Sequence, residues 1–357
     1  MSAIKQALDQ LNKAHPGLLQ DFSIKNSIPK VERMSSGVPS LDYILDGGLP
    51  LGRIIEIFGP YSSGKSTLCL SFIAKAQKTF PKKRVAFIDM EHSFSAEYAE
   101  RLGIKLDDML FSQPDSGEQA LKVVEALSKT GEVSIIIVDS VANMTTMAAN
   151  EKEIDGSANM ATLARLLSQQ LPRIGREADK SGTIVVFINQ LRMNIGQMYG
   201  NPETTPGGNA LPHNASVRID IRSKKPEKQD GVEGCPVVIK IKKSKVSPPF
   251  RQTELFFKYA DNEKGIDPGF DIDQDLMNTA MTRGLIVQSG AWYTYDKLKE
   301  KGWPAFFKSL KDKNLIQEIA TKLENNPTLY YGKPDTSGES TSTDQANDEQ
   351  ETESGKD

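Results

Sequence analysis

One short segment of the chain reads Ile54-Ile-Glu-Ile-Phe-Gly59-Pro-Tyr-Ser-Ser-Gly64-Lys65-Ser66-Thr67. A nearly continuous apolar run, Ile54–Phe58, leads into Gly59–Thr67, which fits the pattern G-x-x-x-x-G-K-[S/T], and a helical stretch, Thr67–Thr79, follows. Glycines in such a loop allow backbone N–H groups to surround a phosphate, and the helix N-terminus adds positive potential. The segment therefore predicts a phosphate-binding P-loop; a glycine-rich turn without a ligand is the less favoured interpretation.

Three more apolar runs resemble Ile54–Phe58, and they are Val85–Asp89, Ile135–Asp139 and Ile184–Asn189. Such runs are typical of strands that are buried on both faces of a sheet. The helical stretches between them include Thr67–Thr79, Ser93–Leu102, Glu118–Lys129 and Met160–Glu177. This alternation predicts an α/β fold with a mostly parallel sheet and helices packed on it. Three later runs, joined only by turns, predict an antiparallel extension: Ser216–Arg222, Val237–Lys242 and Glu254–Tyr259.

The N-terminal residues form a separate amphipathic segment. The apolar side chains at one helical spacing are Ile4, Ala7, Leu8 and Leu11. So short a helix needs a packing partner to be stable in water. That partner is either the chain's own core or a neighbouring subunit.

The chain beyond residue 265 changes character again. Helical stretches over Asp271–Thr282 and Pro304–Asn325 flank a short aromatic strand and predict a small α+β unit. The last residues are Ser, Thr, Asp and Glu with almost no apolar side chain, a composition typical of disorder. We therefore divide the chain into an N-terminal helix and linker, an α/β core, a small C-terminal α+β domain and a disordered acidic tail. Their ranges are 1–33, 34–265, 266–333 and 334–357.

Composition favours a protein of the cytoplasm. The 357 residues are 38% hydrophobic and 25% charged, as in ordinary globular proteins. Two cysteines are too few for a disulfide framework and favour a reducing compartment. No uncharged apolar run reaches the roughly 18 residues of a membrane span.

The net charge is −3, but residues 335–357 hold eight acidic residues and one basic residue, so the rest is net positive. A basic body with an acidic tail is compatible with a polyanionic partner.

Two kinds of side chain complete the nucleotide site predicted at the P-loop. Lys65 is expected to reach the β- and γ-phosphates of ATP, and the Ser66 hydroxyl to ligate Mg²⁺. Asp139 ends a buried strand, where an acid holds Mg²⁺ directly or through water; a plain helix cap is the alternative. The cofactor prediction is therefore ATP with Mg²⁺. The binding residues are Gly59, Pro60, Tyr61, Ser62, Ser63, Gly64, Lys65, Ser66, Thr67 and Asp139.

Polar residues also follow two other strands. Glu91 follows the second strand, where a carboxylate can polarise an attacking water; a solvated loop acid is an equally weighted alternative. Gln190 closes the fourth strand, and its neutral amide can sense a γ-phosphate by hydrogen bonding. The glycine-rich connection Arg192–Asn209 comes next and is long for a compact domain. It predicts a functional loop whose order depends on nucleotide state, with an unliganded surface loop as the alternative.

Two basic segments are candidates for phosphate contacts. The glycine-containing stretch Glu151–Ser157 leads into a helix that carries Arg165, although exposed helical arginines are commonly a solvated face. Lys243 and Lys245 lie in and after a strand. They either protect a sheet edge or reach the phosphates of a nucleotide on an adjacent subunit.

The chain is similar to the RecA family of bacterial recombinases in blocks well beyond the P-loop. In family order these blocks are Gly59–Thr67, Phe87–His92, Ser112–Leu121, Val138–Ala142, Phe187–Met193, Gly200–Thr204, Gly207–Leu211 and Gly290–Tyr293. Similarity among P-loop proteins in general does not produce the loop blocks. The resemblance covers roughly Met34 to Tyr295 and implies a RecA-like P-loop ATPase core.

This resemblance implies an ATP-dependent protein that forms helical filaments on single-stranded DNA and pairs it with homologous double-stranded DNA. In the family pattern Glu91 activates water, Tyr98 stacks on adenine, and Gln190 couples the γ-phosphate to DNA binding. Lys65, Lys243 and Lys245 join Glu91 and Gln190 as catalytic residues, the last two lysines reaching across the subunit interface. The resemblance places two DNA-binding loops at about Glu151–Met160 and Arg192–Asn209. The DNA-contacting positions that it implies are Met160, Arg165, Ser168, Arg192, Met193, Ile195, Gly207, Gly208 and Asn209.

The resemblance also assigns roles to the ends of the chain. The N-terminal helix resembles a polymerisation helix, which favours a neighbouring subunit as its partner. The C-terminal domain, with its lysines, resembles the part that gathers duplex DNA, and the acidic tail would compete with DNA for that surface. Single-strand-binding and loader proteins are expected partners, in recombination, repair and the SOS response.

Three positions depart from the family pattern. Tyr61 and Ser95 stand where an acid is usual, and Pro172 stands where a basic residue is usual. These differences favour a divergent member of the family, such as a phage-encoded one. A ring-shaped DNA motor on the same core and a regulatory ATPase that ignores DNA are the competing hypotheses; the long loop and the lysine pair favour the recombinase.

Overall fold

A computed structural model describes residues 3–14, 31–147, 156–193, 203–229, 231–260 and 265–326 of the chain. The side chains of 156–160 and of five positions in the N-terminal helix lie outside this description, as do Ile195 and the acidic tail. Among the described residues, no helix is both long enough and apolar enough to cross a membrane.

The helices and strands of these ranges follow the predicted alternation. The helices are α1 (Ala3–Ala14), α2 (Pro39–Ile44), α3 (Lys65–Thr79), α4 (Ala96–Arg101), α5 (Gly117–Thr130), α6 (Gly156–Ser181), α7 (Ala210–Asn214), α8 (Ile272–Thr282), α9 (Trp303–Asp312) and α10 (Leu315–Asn325). The strands are β1 (Arg33–Met34), β2 (Leu49–Pro50), β3 (Ile54–Gly59), β4 (Arg84–Asp89), β5 (Met109–Ser112), β6 (Val133–Asp139), β7 (Ile184–Gln190), β8 (Arg192–Met193), β9 (Glu203–Thr204), β10 (Val217–Ser223), β11 (Glu227–Gln229), β12 (Val232–Ser244), β13 (Gln252–Lys258), β14 (Gly269–Phe270), β15 (Val287–Ser289), β16 (Trp292–Tyr295) and β17 (Leu298–Lys301).

The central sheet has the strand order β14-β13-β12-β10-β3-β7-β6-β4-β5, with β11 paired to β12. All neighbours from β10 to β5 are parallel, and β12, β13 and β14 join antiparallel. The predicted α/β class with an antiparallel extension is confirmed. One detail is corrected: the extension begins at β12 rather than at Ser216–Arg222, because β10 pairs parallel with β3.

Two apolar layers cover the faces of this sheet. Side chains of α2, α3 and α4 form one layer with Ile55 and Ile57 of β3. Side chains of α5 and α6 form the other with Ile54. Adjacent strand residues point to opposite faces, so burial on both sides explains the nearly continuous apolar runs. The helix α6 remains continuous through Pro172.

The C-terminal residues build a third apolar cluster from α8, α9, α10 and the antiparallel sheet β15–β17. The predicted single helix over Pro304–Asn325 is wrong: α9 and α10 are separate. Asn314 lies between them with φ 54°, a left-handed conformation that ends one helix before the next begins. The domain boundaries at residues 33, 265 and 333 stay a prediction.

Three of the four apolar side chains of the α1 stripe do not pack on the core of their own chain; the fourth, Leu8, lies outside the described side chains. Ile4, Ala7 and Leu11 are exposed, Ile4 to 72%. Of the two interpretations left open for this helix, burial in its own core is therefore wrong for these three side chains.

Candidate active site

The carboxyl ends of four parallel strands bring the predicted residues to one edge of the sheet. Gly59 at the end of β3 pairs with Gln190 at the end of β7. Asp89 at the end of β4 pairs with Asp139 at the end of β6. Ligands of open parallel sheets bind at this carboxyl edge. Residues up to 131 positions apart in the sequence thus share one site.

The P-loop turns tightly between β3 and α3. Gly64, which precedes α3, has φ 88°, a conformation that disfavours any side chain. A Cβ at Gly59 would lie 2.1 Å from the carbonyl oxygen of Ile221, so only glycine fits there. Ser63 is buried and donates to the Pro60 carbonyl at 2.9 Å. The loop is therefore closed against β10.

The outer part of the loop remains accessible. Pro60, Tyr61 and Ser62 are exposed, Tyr61 to 72%. The side chain of Thr67 is buried in the first turn of α3, whereas Ser66 is exposed beside it. The loop therefore offers backbone groups and the hydroxyls of Tyr61, Ser62 and Ser66 on its open side.

The ammonium group of Lys65 lies over the P-loop. Its Nζ donates to the carbonyl oxygens of Gly59 at 3.2 Å and Pro60 at 2.5 Å. Burial lowers the pKa of Lys65, and the nearby carboxylates of Asp139 and Glu91 oppose that effect. A cation is thus placed where the loop would surround phosphates.

Ser66 and Asp139 form the polar centre of the site. The Ser66 hydroxyl donates to Asp139 Oδ2 at 2.6 Å. Asp139 is 2% exposed, and its Oδ1 has no hydrogen-bond partner among the described residues. Burial raises the pKa of Asp139 to about 6. A buried carboxylate with one orphaned oxygen beside a hydroxyl offers the oxygen ligands that Mg²⁺ prefers, so these residues fit the predicted ion.

Glu91 lies between Asp139 and Gln190. The backbone N–H groups of Met90 and Glu91 donate to the Asp139 carbonyl at 2.6 and 3.1 Å. The side-chain amide of Gln190 donates to Glu91 Oε2 at 3.5 Å. Glu91 is partly buried, so it is not simply a solvated loop acid. The predicted water-activating residue and the predicted phosphate sensor are in contact.

Sequence reasoning missed Asp89, which shapes the loop that carries Glu91. Asp89 is fully buried. Its Oδ1 accepts from the N–H groups of Glu91 at 3.2 Å and Ser93 at 3.4 Å. Its Oδ2 accepts from Phe94 N at 3.3 Å and Gln113 Nε2 at 3.0 Å. An acid that ends an apolar strand two residues before Glu91 is the signal that would have identified it.

Tyr98 approaches the P-loop from α4. Its hydroxyl is 2.9 Å from the Thr67 hydroxyl. The side chain is partly buried, and burial raises the pKa of Tyr98. Ser95 caps α4 by accepting from Tyr98 N at 3.2 Å. The hydroxyl that replaces the usual acid at position 95 therefore has a structural role.

The predicted DNA loop starts and ends on a short ribbon. Arg192 pairs with Thr204 and Met193 with Glu203 in the two-stranded sheet of β8 and β9. Arg192 and Met193 are exposed, Met193 to 64%. The predicted contact Ile195 lies outside the described residues. The loop therefore leaves the sheet directly from the strand that ends at Gln190.

The exit of this loop packs on α6. Gly207 and Gly208 have φ values of 88° and 65°. A Cβ at Gly207 would lie 2.6 Å from Leu167 Cδ1, and one at Gly208 would lie 3.1 Å from the Ala164 Cβ. Only glycine permits so close an approach with this backbone. The exit of the predicted DNA loop is therefore held against α6. The other predicted DNA loop, about Glu151–Met160, lies outside the described residues except for the backbone of 156–160.

The remaining DNA candidates lie near this contact. Arg165 and Ser168 are exposed on α6, and Ser168 donates to the Ala164 carbonyl at 2.7 Å. Asn209 is exposed next to Gly208. Met160 belongs to α6, but its side chain lies outside the described residues. Five of the predicted residues thus lie in or next to the contact between α6 and the loop: Arg165, Ser168, Gly207, Gly208 and Asn209.

The lysine pair lies at the end of β12, with Lys243 in the strand and Lys245 just beyond it. Lys243 Nζ donates to the carbonyls of Pro212 at 2.7 Å and His213 at 2.9 Å, and Lys245 Nζ to His213 at 3.2 Å. These carbonyls belong to the end of α7. β13 pairs with β12 only as far as Lys240, so Lys243 is paired on one side alone, with Arg218 of β10. Edge protection and a role at an adjacent subunit's nucleotide both stay predictions for this pair.

The fold and the site together define a P-loop ATPase of the α/β class. The family model for the RecA N-terminal domain matches residues 2–266. The protein RecA of Geobacter sulfurreducens is 44% identical over 296 residues, 82% of this chain and 85% of that protein. The protein RecA of Thioalkalivibrio sulfidiphilus is 43% identical over 297 residues, 82% of this chain and 84% of that protein. The chain belongs to the RecA family.

Membership of this family establishes the activity. The protein is a DNA-dependent ATPase and recombinase that uses ATP with Mg²⁺. It forms filaments of its own subunits on single-stranded DNA and carries out homologous pairing and strand exchange with double-stranded DNA.

Proposed function

We propose that the carboxyl edge of β3, β7, β6 and β4 is the ATPase site of this recombinase. The P-loop backbone and Lys65 bind the phosphates, Tyr98 contacts the adenine, and Ser66 and Asp139 hold Mg²⁺. When bound, Mg²⁺ supplies positive charge that offsets the charge developing on the phosphates. The orphaned Oδ1 of Asp139 supports this assignment, because buried polar atoms normally have partners.

Glu91 orients and deprotonates the attacking water, and Gln190 responds to the γ-phosphate. The contact between Gln190 Nε2 and Glu91 Oε2 at 3.5 Å is the observation that carries this part of the proposal. It joins the water-activating carboxylate to the strand that continues into the DNA loop. Nucleotide state and DNA binding are thereby linked through one amide.

The single-stranded DNA surface comprises the exposed face of α6 and both arms of the loop after Gln190. Its members are Met160, Arg165, Ser168, Arg192, Met193, Ile195, Gly207, Gly208 and Asn209. The packing of Gly207 and Gly208 on Leu167 and Ala164 supports a common surface. Replacing Arg165 by Ala should weaken binding of an oligonucleotide and lower its salt dependence. Replacing Arg101, exposed and ion-paired with Glu97, is the matched control.

Lys243 and Lys245 act on the nucleotide of an adjacent subunit. Their ammonium groups bind carbonyls of α7 rather than the P-loop of their own chain, which supports a role across an interface. Mixing Lys243→Ala with Glu91→Gln tests it. In an equimolar mixture, about a quarter of the head-to-tail interfaces would join an intact Glu91 from one subunit to an intact Lys243 from its neighbour. Hydrolysis should return at these interfaces. No recovery on mixing would contradict the trans assignment.

The outlying segments serve assembly and duplex DNA. The exposed stripe of α1 packs on a neighbouring subunit in the filament, which fits its exposure here. The domain 266–333 gathers double-stranded DNA through lysines such as Lys299, whose Nζ lies 5.4 Å from the Trp292 ring centroid. We place the protein in the cytoplasm, where single-strand-binding and loader proteins assist it.

ATP hydrolysis with and without single-stranded DNA tests the site. Lys65→Ala should abolish nucleotide binding and DNA-stimulated hydrolysis, whereas Lys78→Ala, an exposed lysine in the last turn of the same helix, should leave both intact. Electron microscopy of the same samples should show open helical filaments. Normal ATP turnover by Lys65→Ala would contradict the site assignment. Closed rings in the micrographs would favour a ring-shaped DNA motor over a recombinase.

A further inference from the structure

Glu56 is a carboxylate in the middle of the central strand β3. Its side chain is completely buried, at 0% exposure. Its neighbours Ile55 and Ile57 are core residues of the opposite face. Burying a carboxylate is costly unless it is paired and hydrogen-bonded, and an apolar side chain would fit a strand covered on both faces more simply. The hydrolysis chemistry described above makes no use of this group.

On one side, the Glu56 carboxylate is paired with Arg218, which lies between Glu56 and Lys243. Arg218 on β10 lies opposite Glu56 in the register, and its Nε donates to Glu56 Oε2 at 2.5 Å. The guanidinium also stacks over Phe58, 4.6 Å from the ring centroid. Lys243 on β12 lies opposite Arg218 in turn. Glu56, Arg218 and Lys243 thus form a row of charges across three adjacent strands.

On the other side the carboxylate binds the residue next to the proposed phosphate sensor. Asn189 Nδ2 donates to Glu56 Oε1 at 3.2 Å and to the Pro206 carbonyl at 3.1 Å. Asn189 Oδ1 accepts from the backbone N–H of Gln190 at 3.0 Å. Asn189 is also fully buried. One amide therefore connects the sensor strand, the exit of the DNA loop and Glu56.

We infer that Glu56 is a positioning residue that couples nucleotide binding to DNA binding through Asn189 and Arg218. This inference rests on the proposed function, in which Gln190 contacts the γ-phosphate and Arg192–Asn209 binds DNA. A shift of Gln190 towards a phosphate moves Asn189, because the two are hydrogen-bonded neighbours. Asn189 then changes its bonds to Pro206 at the loop exit and to Glu56, and Glu56 transmits the change to Arg218 beside Lys243. The close packing of this buried network favours discrete rather than graded rearrangement.

The measurable consequence is a coupling factor. It is the ratio of the affinities for a non-hydrolysable ATP analogue in the presence and absence of a single-stranded oligonucleotide. Coupling between two sites is reciprocal and typically amounts to about 5–150-fold. Glu56→Gln keeps the size of the side chain and removes its charge. We expect the coupling factor to fall towards one, while the affinity without DNA stays within about twofold of wild type.

A second variant and a matched control separate positioning from stability. Asn189→Ala leaves the pair of Glu56 and Arg218 intact and should lower the coupling factor as well. In the double variant the losses should be less than additive, because both residues act through one network. Asp42→Asn alters another buried carboxylate, which lies on α2 and accepts hydrogen bonds from the backbone N–H and the hydroxyl of Ser36. It should lower the melting temperature and leave the coupling factor unchanged.

The outcomes distinguish this inference from the proposed function. Wild-type coupling in Glu56→Gln, or both affinities reduced by the same factor, would overturn the positioning role. If Gln190→Ala abolishes coupling and Glu56→Gln does not, only the positioning role fails. If Gln190→Ala retains full coupling, the proposed sensor fails, and with it the basis for assigning Glu56 this role.

Discussion

The Ser66 hydroxyl and the Asp139 carboxylate are joined by a hydrogen bond of 2.6 Å across 73 residues of sequence. Ser66 comes from the first turn of α3 and Asp139 from the end of β6. The bond occupies one oxygen of Asp139 and leaves the other without a partner among the described residues. Two residues that are distant in the sequence thus place a hydroxyl and a carboxylate side by side, and both offer oxygen ligands of the kind that Mg²⁺ prefers.

The raised pKa of Asp139 predicts a pH-dependent affinity for Mg²⁺ and ATP. Burial raises this pKa to about 6, so the group is neutral at lower pH, whereas an ion requires the carboxylate. Affinity for a Mg²⁺-bound ATP analogue should therefore fall by about tenfold per pH unit below about pH 6. Fluorescence titration between pH 5 and 8 measures it. Asp139→Asn is the control. Protonation of the nucleotide affects both proteins equally, so the difference between their pH dependences of affinity reports the titration of Asp139. Parallel pH curves would contradict the prediction.

Glu91→Gln should separate assembly from hydrolysis. The amide cannot accept a proton from water, so turnover should fall by about 10²–10⁴-fold. Binding of ATP and filament formation should persist, because the P-loop and Lys65 are unchanged. Steady-state hydrolysis and electron microscopy provide the two readouts. Glu97→Gln, which alters an exposed residue on α4, should behave as wild type; turnover preserved in Glu91→Gln would exclude Glu91 as the base.

Gly207→Ala should loosen the DNA loop from α6. The added Cβ would meet Leu167 Cδ1 at 2.6 Å, and the backbone φ of 88° disfavours a side chain. We expect a loss of unfolding free energy of about 1–3 kcal/mol and a weaker affinity for single-stranded DNA. Gly182→Ala is the matched control: its φ is 74°, but no atom lies within 4 Å of the added Cβ. It should show backbone strain alone, of about 1–2 kcal/mol, with unchanged DNA affinity. Equal DNA affinities in the two variants would contradict a role for this packing.

Asp275 should make stability depend on pH where α8 meets α2. Burial raises the pKa of Asp275 to about 6 from the ordinary 3.8, and Oδ2 accepts from Ser40 N at 2.9 Å. A raised folded-state pKa means that the folded protein binds more protons, so this contribution is present below pH 4 and is lost as pH rises through 6. Asparagine does not ionise, so Asp275→Asn does not lose unfolding free energy in this way as the pH rises. Its unfolding free energy relative to wild type should therefore rise by about 1–3 kcal/mol between pH 4 and 7. Denaturant titrations at both pH values measure it, and a constant difference would contradict it.

Local patterns sufficed for the elements that carry the nucleotide site. The pattern from Gly59 to Thr67 predicted both the loop and the start of α3, because a tight turn and a helix N-terminus depend on neighbouring residues. The apolar runs predicted parallel strands, because burial on both faces requires them. Gln190 was recognised because it ends such a run. The split of Pro304–Asn325 was missed, since Asn314 in a left-handed conformation carries no strong sequence signal.

The row of Glu56, Arg218 and Lys243 could not be predicted in this way. It depends on β10 lying beside β3, and Glu56 and Arg218 are 162 positions apart in the chain. The contact of Asn189 with Pro206 likewise depends on where the loop returns after leaving β7.

The sequence by itself therefore determined the family, the P-loop and the alternation of strands and helices, since each depends on the chemistry of adjacent or periodic residues. Only the tertiary structure decided which distant residues are in contact. It places Gln190 against Glu91, packs Gly207 on Leu167, and pairs the buried carboxylate of Glu56 with Arg218. Strand order and loop return depend on packing across the whole sheet. No local pattern encodes such contacts, because their energy belongs to residues that are distant along the chain.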